Sequence, residues 1–205
     1  MKPTEYLGVI IDNKLTWTPH IDQLIKKLSS NTYVIRRIKN ISNMDTAKTA
    51  YFSLFESHLR YGIIIWGNSS HYNLQRVLVA QKKVIRILAD LNPLDSCRAA
   101  FLELKILTVV SLYIYEVICF AMSHNLTRLG ETHPYNTRNA NNFALPIHHL
   151  ALSEEKPSYM RSKLYNLLPN HLKAITDVRH FKKEARQWLL ERTFYTIEEF
   201  LNWKT

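Results

Sequence analysis

The sequence predicts a mainly α-helical protein that opens on a β-hairpin. Three observations carry that prediction. Apolar residues recur at helical spacing through most of the chain. A β-branched run sits near its start. Glycine and proline are scarce, 4 and 7 residues in 205, so little interrupts long helices.

The hairpin is expected over residues 5–17. Tyr6-Leu7-Gly8-Val9-Ile10-Ile11 favours extended structure, Asp12-Asn13 can turn, and Leu15 and Trp17 alternate on a return strand. A helix follows, with Thr18 as cap, Pro19 at its first position and Asp22 near its positive end. Ile21, Leu24, Ile25, Leu28, Ile35 and Ile38 form its apolar stripe, while Lys26, Lys27, Arg36 and Arg37 lie off it. A second helix is predicted over residues 46–59, capped by Asp45, with Ala47, Ala50, Tyr51, Leu54 and Phe55 inward. Residues 61–67 read equally as a strand or a buried connector. The third helix, residues 72–91, turns Leu74, Val77, Leu78, Gln81, Val84, Ile85 and Leu88 inward and Arg76, Lys82, Lys83 and Arg86 outward.

Pro93 breaks the chain. Helices are expected over residues 95–104 and 108–123, then a polar loop to residue 142 and an ambiguous stretch to 152. Further helices are expected over residues 158–168, 177–191 and 196–203. The organisation predicted is a hairpin (1–17), a helical bundle (18–125), a linker (126–152) and a smaller C-terminal helical region (153–205).

The formal net charge is +10. Residues 1–90 hold 13 Lys+Arg against 6 Asp+Glu, so most of the positive field lies in the first half. Such a field suits a polyanion, nucleic acid first among them, but a merely soluble basic protein satisfies it too. Residues 106–122 are almost wholly apolar, yet they fall short of the ~20 residues of a membrane span and carry Glu116 in the middle. They read as a helix buried in protein. With no signal peptide either, an intracellular site, nuclear or cytoplasmic, is expected, and no membrane partner. Asn68-Ser69-Ser70 and Asn125-Leu126-Thr127 match the glycosylation pattern by accident in that setting. Cys97 and Cys119 form no CxxC and suit small core positions in a reducing compartment.

Catalytic chemistry finds no support in the residues. Nucleotidyl transfer needs paired carboxylates to hold two metal ions. The six aspartates, Asp12, Asp22, Asp45, Asp90, Asp95 and Asp177, include no adjacent pair. Glu154-Glu155 suits a solvated loop, and Glu198-Glu199 a helix start. His148-His149 lacks a third metal ligand at diagnostic spacing. Neither a GxSxG elbow, a Walker A loop nor GxGxxG is present. No cofactor is expected. The remaining signal is basic helix faces: Lys26, Lys27 and Arg37 near Tyr33, and Arg76, Lys82, Lys83 and Arg86 near Tyr72. Phosphates attract such cations and an aromatic ring can pack on a sugar or base, but a solvated helix face explains them equally.

Glu5-Tyr6-Leu7-Gly8-Val9-Ile10-Ile11-Asp12, with Leu15-Thr16-Trp17 and His20-Ile21, resembles the segment that closes the polymerase domain of jockey-like non-LTR retrotransposon reverse transcriptases. Tyr51, Ser57, Leu59, Tyr61-Gly62 and Trp66-Gly67 resemble that family's thumb. Leu78, Gln81-Lys82-Lys83 and Ile85-Arg86 resemble its next helix. Tyr135-Asn136-Thr137-Arg138, and Tyr165-Asn166-Leu167-Leu168-Pro169 with Phe181-Lys182, resemble its later motifs. The resemblance implies a primer-grip-like role for Tyr6, Leu7 and Gly8, a thumb-like bundle after them, and basic helices along a template–primer groove. It also places the fingers, the palm with its Tyr-x-Asp-Asp motif and Mg²⁺, and the endonuclease upstream of Met1. The expectation is a truncated reverse transcriptase (RNA-directed DNA polymerase) fragment, inactive by itself, with residual nonspecific affinity for RNA or an RNA–DNA hybrid. The alternative is a non-enzymatic interaction module, docking on a polymerase core or another protein through the hairpin.

Overall fold

The computed structural model describes residues 3–124, 126–132, 139–146 and 156–204. A two-stranded antiparallel hairpin, β1 (Thr4–Tyr6) and β2 (Val9–Ile11), leads into a helical protein, as the sequence predicts. The helices are α1 (Thr18–Ile41), α2 (Met44–Ala50), α3 (Ser57–Arg60), α4 (Ile63–Trp66), α5 (His71–Leu88), α6 (Arg98–Glu103), α7 (Val109–Ser123), α8 (Leu129–Thr132), α9 (Pro157–Asn166), α10 (Asn170–Lys173), α11 (Val178–Arg192) and α12 (Ile197–Leu201).

The hairpin turns earlier than the sequence reading placed it. Tyr6 pairs with Val9, so Leu7-Gly8 is the loop, and both residues have positive φ, 48° and 76°. Two positive φ values match the right-handed twist of a two-residue hairpin, and glycine supplies the second without strain. Asp12 is not the turn. Its carboxylate accepts hydrogen bonds from the backbone of Lys14 and Trp17 and from the Thr16 hydroxyl. Burial opposes ionisation of Asp12, but these bonds outweigh it and hold the carboxyl below its ordinary range. Leu15 and Trp17 therefore sit in a loop, at φ 52° and 63°, and not on a strand.

α1 begins at Thr18, with Trp17 at its N-cap and Pro19 in its first turn. The Thr18 hydroxyl accepts from the Asn73 amide of α5 instead of capping its own helix. α1 and α5 run side by side in the same direction. Asp22 meets Arg76 near their starts at 2.5 Å, and Lys39 meets Asp90 near their ends at 2.8 Å. Ile21, Leu24, Leu28 and Ile35 are buried from α1, and Leu74, Val77, Leu78, Val84, Ile85 and Leu88 from α5. Both apolar stripes match their predicted helical faces.

The second predicted helix runs on from α2 to α3 through a π-helical stretch, Tyr51–Glu56. Asn43, not Asp45, caps it: its side chain accepts from the amide of Thr46 at 2.9 Å. Hydroxyls of Ser53 and Ser57 donate to carbonyls four residues back, competing with the α-helical ladder. The wider turn aligns the buried rings of Tyr51 and Phe55, stacked at 5.4 Å. Residues 61–67 form no strand. Gly62, at φ 63°, starts the short α4, and the Tyr61 carbonyl accepts from the Trp66 indole.

One polar side chain crosses the core. Gln81 is fully buried. Its amide donates to the Tyr51 hydroxyl at 2.8 Å and to the Leu107 carbonyl at 2.9 Å, while its oxygen accepts from the Val109 amide at 2.7 Å. That last bond satisfies a donor at the start of α7 which the helix itself cannot pair. The Thr108 hydroxyl accepts from Ser111 beside it and donates to the Phe194 carbonyl. α9 and α11 pack against α7, and one apolar core includes Ile21, Tyr113, Phe181 and Phe200. The free cysteines Cys97 and Cys119 are buried in it, and burial raises both thiols' pKa, Cys119 to about 12. No helix among the described residues is long and apolar enough to cross a membrane.

Replacing Gln81 with leucine removes three hydrogen bonds and strands a hydroxyl, a carbonyl and an amide in a dry interior. A loss of about 3 kcal/mol is expected from such unpaired groups, read as a lower urea midpoint at unchanged m-value.

Candidate nucleic-acid interface

The basic residues picked out from the sequence fall into two physical populations. Lys26, Lys27 and Arg37 on α1 and Lys83 on α5 are exposed and hold no ion pair among the described residues. Lys26, Tyr33 and Arg37 follow each other at helical spacing on the outer face of α1, opposite its buried stripe. Lys27 lies on the flank toward the hairpin, where its charge reaches His20. Lys83 lies on the other flank, lining a groove between α1 and α5 with Ser29, Thr32 and Arg76. Arg36, exposed and one turn beyond Thr32, continues that flank. The sequence marks it only as an off-stripe cation, because the groove forms only when α5 packs beside α1.

Lys82, Arg86 and Arg76 are engaged within the protein. The Lys82 ammonium sits 3.8 Å from the centre of the Tyr195 ring. Desolvation there lowers its pKa, with further lowering from Arg86 and Arg98. Arg98 lies 4.2 Å from the same ring and pairs with Glu199 at 2.7 Å. Glu199 also accepts from the Tyr195 amide. The guanidinium of Arg86 donates to the Asp95 carbonyl at 3.1 Å. Arg76 pairs with Asp22 and lies 5.5 Å from the Tyr72 ring, which is itself exposed. So α5 turns Arg76 and Lys83 toward α1, but Lys82 and Arg86 toward other partners in the chain.

Tyr6, Leu7 and Gly8 lie together at the hairpin tip. Tyr6 and Leu7 are 65% and 72% exposed. The Leu7 carbonyl accepts from the Tyr61 hydroxyl at 2.5 Å, and the backbone at Gly8 passes over the Tyr61 ring. Tyr61 is exposed beside them, which makes an uncovered apolar patch. His20 fixes the hairpin from below. Its Nδ1 accepts from the Ile10 amide, and its ring lies 5.9 Å from that of Trp66. Residues 135–138, His148, His149, Glu154, Glu155 and Asn125 lie outside the described residues. Among the described residues no group of three or more His, Cys, Asp or Glu is placed to hold a metal ion.

These features define a basic, mainly helical segment with an outward cationic stripe and an apolar hairpin tip. Over 108 residues, 51% of the chain, it is 24% identical to the probable RNA-directed DNA polymerase from transposon X-element of Drosophila melanogaster. Over 89 residues, 42% of the chain, it is 26% identical to the probable RNA-directed DNA polymerase from transposon BS of the same fly. The matched stretches span 12% and 10% of those proteins, so the similarity is to a small part of each. No family model matches the chain, and no solved structure matches it. The chain thus contains a segment related to transposon reverse transcriptases.

Burial, and then the charge of Lys27, hold the His20 imidazole below its ordinary pKa of 6.5. The unfolded chain gains a proton near that value, while the folded chain gains it only at lower pH. Stability is therefore complete above the ordinary value and falls as pH drops from there toward the folded pKa. Urea unfolding at about pH 8 and pH 5 should show a smaller pH-dependent loss for His20→Asn than for the native chain.

Proposed function

We propose that this chain is a thumb-like fragment related to jockey-like reverse transcriptases, which binds RNA or an RNA–DNA hybrid through its backbone and does not polymerise by itself. One observation carries the binding half. Lys26, Lys27, Arg37 and Lys83 are exposed cations with no ion pair among the described residues, on two helices packed side by side. Free ammonium and guanidinium groups release counterions when they meet phosphates, and phosphate contacts carry little sequence information. Tyr33, 64% exposed on the same outer face, offers a ring for a sugar or base. Similarity to transposon RNA-directed DNA polymerases supports the choice of nucleic acid over other polyanions. Lys82 and Arg86 contribute to the field but are engaged within the protein, Lys82 on the Tyr195 ring and Arg86 on the Asp95 carbonyl.

A second reading draws on the uncovered patch of Tyr6, Leu7 and Tyr61. In it the hairpin docks on a polymerase core or another protein, and the cations are a solvated face.

Reversing Lys26, Lys27, Arg37 and Lys83 to glutamate should weaken an RNA–DNA hybrid at least about tenfold and flatten the slope of log affinity against log salt by about three. Reversing Lys82 and Arg86 instead should lower thermal stability first. Hybrid affinity indifferent to salt overturns the backbone-binding proposal. DNA synthesis by the isolated chain with Mg²⁺ and deoxynucleotides overturns the inactivity. No affinity for the hybrid, with binding to a polymerase core unchanged by the cation reversals but lost through Leu7→Ser and Tyr61→Ala, favours the hairpin reading.

A further inference from the structure

A second basic surface lies away from the α1 stripe. α2, the π-helical stretch, the residues after α6 and α11 enclose a groove of about 400 Å³. Its floor is apolar: Phe52 on the π-helical stretch, Leu104 after α6 and Leu190 on α11. Its rim is cationic: Lys48, Lys105, Lys183 and Arg186, against the single carboxylate of Glu184. The Arg186 guanidinium donates to the Lys105 carbonyl at 3.2 Å and ties α11 to the α6 end. The ammonium groups of Lys48, Lys105 and Lys183 pair with no carboxylate among the described residues.

Lys105 has a second peculiarity. The amide of Ile106 donates to the Phe101 carbonyl and that of Lys105 to Leu102, which is the hydrogen-bond pattern of a helix closed by a left-handed residue. Lys105 occupies that left-handed position, at φ 57°, where glycine fits best. A long cation thus stands at the groove where fold stability alone favours glycine.

We propose that this groove docks an acidic amphipathic segment of a partner protein. Charge and shape both select that occupant. Leu, Ile or Phe side chains of such a segment cover Phe52, Leu104 and Leu190, and its carboxylates reach the rim cations. A nucleic-acid strand fits poorly. Phe52 is the one ring in the lining and offers a platform to a single base, while phosphates on the rim would leave Leu104 and Leu190 uncovered. The α1 stripe differs in kind, since its free cations lie on the convex outer face of a helix. The proposal is independent of nucleic-acid binding by that stripe.

The test titrates the full chain into a fluorescein-labelled synthetic peptide with leucines at i, i+3, i+4 and i+7 and glutamates elsewhere, read by fluorescence anisotropy. Saturable binding is expected. Lys105→Gly and Lys183→Glu should each weaken it about fivefold. Lys105→Gly removes the cation while relieving the left-handed backbone, so its melting temperature should hold or rise, and weaker binding then cannot come from unfolding. A peptide with serine for leucine should lose binding. The chain with Lys26, Lys27, Arg37 and Lys83 reversed should bind the peptide as the native chain does. No saturable binding, equal binding of the serine peptide, or indifference to both Lys105→Gly and Lys183→Glu overturns the proposal. So does competitive displacement of the peptide by oligouridylate, which reassigns the groove to nucleic acid. Loss of peptide binding with the RNA–DNA affinity of the α1 stripe intact rejects this inference alone.

Discussion

The packing of this protein turns on one buried amide. Gln81 joins the π-helical stretch to the connection between α6 and α7 through three hydrogen bonds made inside an apolar core. A dry interior makes each of those bonds strong and makes each costly to lose. They fix the register of three segments at once. Tyr51 must point at Gln81, which the widened turn allows. α7 must begin at Val109, whose amide the Gln81 oxygen takes. The Thr108 hydroxyl, held one residue earlier, then reaches Phe194 and anchors the chain that leads to α12. Apolar packing supplies most of the driving force here, but it tolerates sliding. The amide network does not.

Most helices were legible in the sequence because burial imposes a 3.6-residue period. The α5 stripe is buried throughout and the α1 stripe is buried at Ile21, Leu24, Leu28 and Ile35 and half-buried at Ile25 and Ile38, and Thr108, Asp177 and Thr196 stand as caps before α7, α11 and α12. The misplacements share a cause. Local chemistry proposes several turn or cap residues, and only tertiary contacts choose among them. Asp12-Asn13 is a fair turn, but Leu7-Gly8 lets β2 lay Val9 against the core, and Tyr61 holds the tip. Asp45 is a fair cap, but Asn43 reaches the free amide. The π-helical insertion has no sequence period of its own, so it was invisible.

The candidate site was legible as charge and illegible as geometry. Helical spacing placed Lys82, Lys83 and Arg86 outside the α5 core face, which is correct, yet outside that face is not the same as in solvent. Tyr195, more than a hundred residues along the chain, accepts Lys82 over its ring, and Asp95 accepts Arg86. Aromatic rings and stray carbonyls can hold cations as well as carboxylates do, and they leave no charge signature in the sequence. The groove between α2 and α11 was missed for a related reason. Its four cations come from three distant stretches of chain and share no motif.

The clamp on Tyr195 also bears on the order in which the chain acquires structure. Lys82 and Arg98 leave the ribosome long before Tyr195 and Glu199, and the Thr108 hydroxyl before Phe194. Until then these cations, and the proton of the Thr108 hydroxyl, have only water for partners. The first half of the chain therefore stays incompletely closed until the stretch that carries Phe194, Tyr195 and Glu199 has been synthesised.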